Sequence, residues 1–146
     1  MKFLVINGVN LNLTGKREQS VYGTKTLEEI NAEIKAFAFK NGDEVEFFQS
    51  NHEGAIVDKI HEAFLLGGCD GILLNAGAYT HYSYAIRDAV AAVSLPVVEV
   101  HMSNVHAREE LRKISVLSDV CVGTVFGFGL GSYLAAMVGL KEKIQG

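Results

Sequence analysis

Residues 71–81 read Gly-Ile-Leu-Leu-Asn-Ala-Gly-Ala-Tyr-Thr-His, and this stretch decides the fold. Its first four residues carry no polar side chain, which is typical of a strand buried on both faces of a sheet. Asn75 then begins a polar segment that ends at His81. One helix further along, residues 96–103 repeat the arrangement as Pro-Val-Val-Glu-Val-His-Met-Ser. The two segments predict consecutive strands that deliver amide, imidazole, carboxylate and hydroxyl groups to one edge of a sheet.

Three more short apolar runs and several helical patterns lie on either side of this pair. The runs span residues 3–6, 45–48 and 120–125. A first helix is predicted after Thr26, because Thr26 and Glu29 have the spacing of a capping box, and Gly42 ends it. Further helical patterns cover residues 56–64, 83–92 and 132–143, with a short helical turn at 107–112.

Apolar strands that alternate with amphipathic helices predict an α/β fold in which helices cover both faces of a parallel sheet. Five such units in 146 residues fit a single domain, residues 1–146, built as a flavodoxin-like three-layer sandwich with strand order 2-1-3-4-5. In such sheets ligands bind beyond the carboxyl ends of the strands, where the strand order reverses. We therefore expect the functional site among the polar segments that follow the strands.

Composition argues against several classes of function. The net charge of −4, with no basic block, disfavours nucleic acids and anionic membranes as partners. No apolar run has the length of a membrane span, and the first strand turns polar at Asn7, too soon for a secretory signal. Cys69 and Cys121 are isolated, which favours two thiols in the cytoplasm over a disulfide. The slightly positive mean hydropathy of +0.19 indicates apolar surface buried between subunits.

Glu99 and His101 are two residues apart, so both side chains point to the same face of an extended strand. A carboxylate beside an imidazole fixes its tautomer and suits it to general-acid chemistry near neutral pH, but a hydrogen-bonded pair with no catalytic task has the same spacing. Asn10 and Asn75 offer neutral donors for a water or an oxyanion, although asparagines in loops are more often turn formers. The glycine segments match neither a dinucleotide fingerprint nor a phosphate-binding loop, and no residue cluster has metal-site spacing.

The connection at residues 11–24, which we call the lid loop, is long for a link between a strand and a helix, and such loops are often lids. It carries Arg17 and Tyr22. A phenol has a pKa of about 10, so a tyrosine acts as a base only where a cation stabilises the phenolate. The alternative is an exposed loop whose tyrosine packs on the surface. Arg108 and Arg112 would share one face of a helical turn, for which a solvated charged face is the alternative interpretation.

Taken together, these segments resemble the type II 3-dehydroquinate dehydratases, which remove water from 3-dehydroquinate in the shikimate pathway. The matching segments run in order over nearly the whole chain: residues 6–12, 15–18, 22–23, 49–54, 75–81, 86–89 and 99–110. The chain departs from the family where Val9, Ala76 and Asp119 stand in place of usual prolines. Gln19 and Ser132 are further departures. None removes a proposed functional group, so they bear on lid rigidity and stability.

The resemblance implies dehydration of 3-dehydroquinate to 3-dehydroshikimate through an enolate, with no cofactor and no metal. Tyr22 would be the base, and Arg17 would stabilise its phenolate. The enolate would be held through a water bound by Asn10. His101 would protonate the leaving hydroxyl, with Glu99 orienting its ring.

The resemblance also implies how substrate and subunits are bound. The backbone amides of Met102 and Ser103, with the serine hydroxyl, would bind the substrate carboxylate, and Arg108 would support the electrostatics of the site. Asp88 would reach the site of a neighbouring subunit. The ring hydroxyls would be bound by three side chains, Asn75, His81 and Arg112. Because the family usually forms dodecamers assembled from trimers, a homododecamer is the expected assembly.

Two other classes of function remain open from the residues alone. A flavodoxin-like binding module would hold a flavin or a phosphate without catalysis, but the chain lacks a phosphate-cradling loop. An acyl or phosphate hydrolase would use His101 as its base. Ser103, however, does not stand in a strand-turn-helix elbow, so that class lacks a convincing nucleophile.

Overall fold

A computed structural model of the chain describes residues 1–146 and contains one five-stranded sheet. The strands are β1 (Lys2–Asn7), β2 (Glu44–Gln49), β3 (Gly71–Asn75), β4 (Val97–His101) and β5 (Gly123–Phe126). Their order across the sheet is β2-β1-β3-β4-β5, and every neighbouring pair is parallel. The predicted α/β class and strand order are confirmed.

The helices are α1 (Gln19–Tyr22), α2 (Leu27–Lys40), α3 (Glu53–Leu66), α4 (Tyr84–Ala92) and α5 (Leu130–Gln145). Short 3-10 segments occur at Leu11–Leu13, Gly77–His81, Val105–Ala107 and Glu110–Lys113. The predicted capping box starts α2, since the Glu29 amide donates to Thr26 Oγ1 at 3.2 Å and the Thr26 amide donates to Glu29 Oε2 at 2.7 Å. None of the helices combines the length and apolar character that crossing a bilayer requires.

Alternate side chains of the central strands enter two separate cores, one on each face of the sheet. Phe3 and Val5 of β1 pack with residues of α2 and α5, whereas Leu4 and Ile6 pack with residues of α3 and α4. All five residues of β3 are buried, which explains why its sequence is apolar on both faces. Each fully buried Leu or Ile stabilises the fold by about 1.5–3 kcal/mol relative to exposure. The three layers are thus helices, sheet and helices, as the sequence predicts.

Three predicted boundaries are wrong for local reasons. β5 begins at Gly123 because the amides of Val120 and Cys121 donate to the Leu117 carbonyl in a turn. The predicted helical turn at 107–112 is two 3-10 segments interrupted at Arg108, whose backbone is extended at φ −118° and ψ −161°. α5 begins two residues earlier than predicted, and the lid loop contains α1, which the pattern did not indicate.

The register brings the carboxyl ends of the central strands to one level. Asn7 of β1 lies opposite both Gln49 and Asn75 in the neighbouring strands. The segments that follow β1 and β3 also approach closely at Gly8, where an added Cβ would lie 2.3 Å from the Ala76 carbonyl oxygen. Only glycine fits this contact, so the sequence Asn7-Gly8 fixes how the loops after these two strands meet.

Candidate active site

One pocket lies beyond the carboxyl ends of β1, β3 and β4, at the sheet edge where the sequence places the site. Ten of the twelve residues singled out from the sequence line it: Asn10, Arg17, Tyr22, Asn75, His81, His101, Met102, Ser103, Arg108 and Arg112. Glu99 contacts His101 from behind. Asp88 lies outside the pocket, on α4.

The end of β4 supplies the imidazole and its carboxylate. His101 Nε2 lies 2.7 Å from Glu99 Oε1, and His101 is 8% exposed while Glu99 is fully buried. Because a carboxylate oxygen only accepts, the proton of this bond sits on Nε2. Nδ1 is then the ring nitrogen left to exchange a proton with a bound molecule. The prediction that the two side chains share a strand face is confirmed.

Three hydroxyls surround the same carboxylate. Thr80 Oγ1 donates to Glu99 Oε1, Ser115 Oγ lies 2.8 and 2.9 Å from the two oxygens, and Ser118 Oγ donates to Oε2 at 2.6 Å. Burial raises the pKa of Glu99, but hydrogen bonds from His101, Ser118 and Thr80 outweigh it and bring the pKa to about 2. Glu99 is therefore ionised. Sequence reasoning missed these hydroxyls because they lie 16 to 19 positions away and only the fold brings them in.

Tyr22 belongs to the lid loop and lines the pocket from that side, and two guanidinium groups lie near its ring. Its phenol oxygen accepts a hydrogen bond from Arg108 Nη1 at 2.7 Å. The guanidinium carbons of Arg17 and Arg108 lie 4.9 and 5.3 Å from the centre of the ring, within cation–π range. The resemblance implies that Arg17 stabilises the phenolate. In the structure, Arg108 contacts the hydroxyl and Arg17 lies against the ring. No spacing signals this pairing, since 86 positions separate Tyr22 from Arg108.

An ion pair joins the lid loop to the segment after β4. Glu18 Oε2 lies 3.1 Å from Arg17 Nη1, and Glu18 Oε1 lies 4.0 Å from Arg108 Nη2. Arg108 Nη1 also reaches Ser103 Oγ at 3.4 Å, a long hydrogen bond. Glu18 adopts a left-handed backbone with φ 39°, which is uncommon for a residue other than glycine. Both arginines are thus held beside Tyr22 by partners at the rim of the pocket.

His81 presents an acceptor to the pocket. Its Nδ1 lies 2.7 Å from the Ile114 carbonyl oxygen, so Nδ1 carries the proton and Nε2 is unprotonated. Burial lowers the pKa of His81, the Ile114 hydrogen bond raises it, and the nearby Arg112 and His101 lower it further, so that the net shift is downward. At neutral pH the ring is mainly uncharged, and Nε2 can accept a hydrogen bond from a hydroxyl.

A buried network fixes the floor of the pocket. The Tyr133 hydroxyl donates to Asn7 Oδ1 at 2.6 Å and accepts from Asn75 Nδ2 at 2.8 Å. Asn75 Oδ1 accepts from the Gly77 amide at 3.2 Å, so one N–H of the Asn75 side chain remains for a ligand. Asn10 has a left-handed backbone with φ 66°, and its side chain does not cap the 3-10 segment that follows. These amides are neutral donors at the wall of the pocket.

No three or more His, Cys, Asp or Glu side chains stand close enough together to hold a metal ion. Both cysteines are free thiols that are partly buried. Burial, with the nearby Glu99 and Asp119 charges, raises the pKa of Cys121 to about 12, so this thiol is not ionised at neutral pH. The polar groups that the chain itself brings to the pocket are phenol, imidazole, guanidinium, amide and hydroxyl groups.

Comparison with known proteins places this geometry in one family. The family model for class II dehydroquinase matches residues 1–141. A 3-dehydroquinate dehydratase from a Nitratiruptor species is 57% identical over 145 residues, which cover 99% of this chain and 92% of that protein. The crystal structure of a type II dehydroquinase from Butyrivibrio crossotus is 54% identical, with a TM-score of 0.94 and 97% of each chain covered. A type II dehydroquinase from Propionibacterium acnes is 35% identical, with a TM-score of 0.89 over 99% of this chain and 97% of that one. The chain belongs to the class II dehydroquinase family.

Proposed function

We propose that this protein dehydrates 3-dehydroquinate to 3-dehydroshikimate through an enolate, without a cofactor or metal, as a step of the shikimate pathway that leads to aromatic amino acids. The main support is that one pocket contains the Tyr22 phenol, bonded to the Arg108 guanidinium, and the His101 imidazole, bonded to the ionised Glu99 carboxylate. An elimination next to a ketone needs a base for the carbon-bound proton and an acid for the leaving hydroxyl. Relatives with 55–57% identity are named 3-dehydroquinate dehydratases.

In the first step, the Tyr22 phenolate removes a proton from the carbon next to the ketone. The C–H electron pair moves toward the ketone oxygen, which becomes an enolate. Arg108 stabilises the phenolate from 2.7 Å, and Arg17 adds positive charge over the ring. A water held by Asn10 supports the enolate oxygen by a neutral hydrogen bond.

In the second step, the enolate collapses and the bond from carbon to the hydroxyl oxygen breaks. His101 donates its Nδ1 proton to the departing oxygen, so that water leaves and a conjugated enone remains. Glu99 accepts from Nε2 throughout and stabilises the imidazolium form. Tyr22 must then lose its acquired proton and His101 must regain one before the next turnover.

The remaining groups of the pocket bind the substrate. The amides of Met102 and Ser103 and the Ser103 hydroxyl hold its carboxylate, with the Arg108 guanidinium nearby. The hydroxyls of the ring contact three side chains, Asn75, His81 and Arg112. His81 suits this task because its free Nε2 accepts while a substrate hydroxyl donates.

We further propose a cytoplasmic homododecamer assembled from trimers, in which Asp88 of one subunit reaches the site of its neighbour. Support comes from large apolar side chains exposed beside the pocket, namely Tyr82, Tyr84, Leu111 and Ile114, which are 58–66% exposed in the single chain. Subunit contacts would cover such surface. Analytical ultracentrifugation should show a particle of twelve chains of 15.8 kDa each, and a monomer would refute the assembly.

The test of the reaction is to add 3-dehydroquinate to the purified protein and follow the absorbance of the conjugated enone. Tyr22→Phe removes the base and His101→Ala removes the acid, so each should lower kcat by about 10²- to 10⁴-fold while the circular dichroism spectrum stays unchanged. Absence of product with the unaltered protein would exclude the activity. Near-normal turnover in either variant would exclude the role given to that residue.

A further inference from the structure

The segment of residues 115–119, which we call the carboxylate loop, lies behind Glu99 and takes no part in lining the pocket described above. It is docked on the 3-10 segment after β3, because the Val116 amide donates to the Thr80 carbonyl at 2.8 Å. The loop contributes two of the three hydroxyls that contact Glu99. These two hydroxyls hold the Glu99 carboxylate at the end of a chain of contacts that runs from His101 through Glu99 to the loop.

The backbone partners of the Ser115 hydroxyl determine where its proton points. Its Oγ accepts from the Leu117 and Ser118 amides, both at 3.1 Å, so these two backbone groups occupy its lone pairs. The single hydroxyl proton is then left for Glu99, whose two oxygens lie 2.8 and 2.9 Å away. The fold of the loop therefore sets where the Glu99 carboxylate sits.

Ser118 completes the hydrogen bonding of the second carboxylate oxygen. Glu99 Oε1 accepts from His101 and Thr80, whereas Oε2 is bound by the hydroxyls of Ser115 and Ser118. Glu99 is fully buried, so in the intact chain its two oxygens depend on hydrogen bonds from protein groups. Without Ser118, Oε2 keeps only the longer hydrogen bond from Ser115 at 2.9 Å, so the carboxylate and the His101 ring bonded to it are held less tightly.

The carboxylate loop is clamped from outside by Arg87 of α4. Arg87 binds Asp119 through both nitrogens of its fork, with Nη2 at 2.9 Å from Oδ2, and Nη1 also donates to the Val116 carbonyl at 2.7 Å. An exposed ion pair adds little stability by itself, and the Asp119 side chain is 68% exposed. A planar fork that contacts the loop at two points fixes its position instead.

We propose that Arg87, Asp119 and Ser118 are positioning residues for the acid of the reaction. Arg87 and Asp119 hold the carboxylate loop against α4, Ser118 holds Glu99, and Glu99 aims His101 at the leaving hydroxyl. None of the three lines the pocket, so they act on the chemical step and not on substrate binding. The proposal rests on the dehydratase function proposed above.

The first test separates kcat from KM. Ser118→Ala should lower kcat about tenfold, a typical cost for losing one hydrogen bond to a charged group, with KM unchanged within about twofold. Ser118→Thr keeps a hydroxyl at this exposed residue, and it should restore kcat. Ser94→Ala is the matched control, because Ser94 is exposed and lies away from the pocket.

The clamp is tested by a double-mutant cycle. Arg87→Gln and Asp119→Asn should each lower kcat about threefold to tenfold, and the double variant should be no slower than the slower single variant. Multiplied effects would show that the two residues do not act as one clamp. An unchanged kcat in Ser118→Ala, or a loss that appears only in KM, would overturn the positioning role.

A second readout does not need activity. In protein labelled with ¹⁵N at histidine, the His101 Nε2–H signal reports the hydrogen bond to Glu99 without substrate. Its exchange with solvent should be about tenfold faster in Ser118→Ala and unchanged in Ser94→Ala. If the unaltered protein forms no enone, the proposed function fails, whereas equal exchange in both variants refutes the positioning of Glu99 by Ser118.

Discussion

Replacing Glu99 by glutamine should remove the part of the acid sensitivity of folding that comes from this buried carboxyl group. The pKa of Glu99 is about 2 in the folded chain against an ordinary value of 4.5, since hydrogen bonds to the carboxylate outweigh burial. With about 1.36 kcal/mol for each pKa unit, ionised Glu99 contributes about 3 kcal/mol to the free energy of unfolding. Because the pKa is lowered on folding, this contribution is complete above about pH 4.5 and is lost as the pH falls toward 2.

The assay is urea unfolding of the unaltered protein and of Glu99→Gln between about pH 6 and about pH 2, at one protein concentration because assembly also affects stability. The unaltered protein should lose about 3 kcal/mol more than the variant across this range. Other carboxyl groups titrate in both proteins, so the difference between the curves isolates Glu99.

Glu110→Gln is the matched control, because the side chain of Glu110 is 88% exposed and pairs only with Lys113 at the surface. Its curve should parallel that of the unaltered protein. If the Glu99→Gln curve were also parallel, the hydroxyls of Thr80, Ser115 and Ser118 would not be holding an ionised carboxylate. The account of how His101 is aimed would then be wrong.

Four further substitutions test other parts of the structure. Tyr133→Phe removes the hydroxyl that joins the buried side chains of Asn7 and Asn75. In a urea titration it should lower the free energy of unfolding by about 1–3 kcal/mol. It should also raise KM, because Asn75 lines the pocket. Gly8→Ala places a Cβ 2.3 Å from the Ala76 carbonyl oxygen and should destabilise the fold by more than about 2 kcal/mol. Gly54→Ala is the control, because an added Cβ at this position of α3 has no neighbouring atom within 4 Å. It should be neutral or stabilising by up to about 1 kcal/mol. Arg108→Ala removes the guanidinium that contacts the phenol and should lower kcat at least about tenfold in the enone assay; unchanged turnover would show that another group supports the phenolate.

The strands of the sheet could be predicted because the sequence of each strand by itself indicates that the strand is buried. The runs at 71–75 and 97–101 are buried over their whole length, and apolar patterns report burial directly. The boundaries failed where the apolar pattern and the hydrogen bonds of local turns disagree. Val120 belongs to an apolar run, yet its amide donates to the Leu117 carbonyl and the chain turns before β5. Hydrophobicity alone does not distinguish the two outcomes.

The site was predictable to the extent that it follows strands. Glu99 and His101 pair because extended backbone places alternate side chains on one face, a rule that needs no tertiary structure. The contact from Arg108 to Tyr22 depends on how the lid loop lies over the segment after β4, which no spacing encodes. The hydroxyl of Ser118 reaches Glu99 only because the carboxylate loop folds back behind β4.

The two sides of the pocket are built differently, and the proposed elimination gives a reason for the difference. His101 stands at the end of a buried strand with a carboxylate fixed behind it, so the fold itself holds the proposed acid in position. Tyr22 stands on the four-residue helix of the lid loop, which has to admit the substrate. Arg17 belongs to that loop, whereas Arg108 belongs to the segment after β4 and contacts the phenol from there. The guanidinium on the phenol oxygen therefore comes from outside the lid loop, so the proposed role of Tyr22 depends on how this loop packs against the segment after β4.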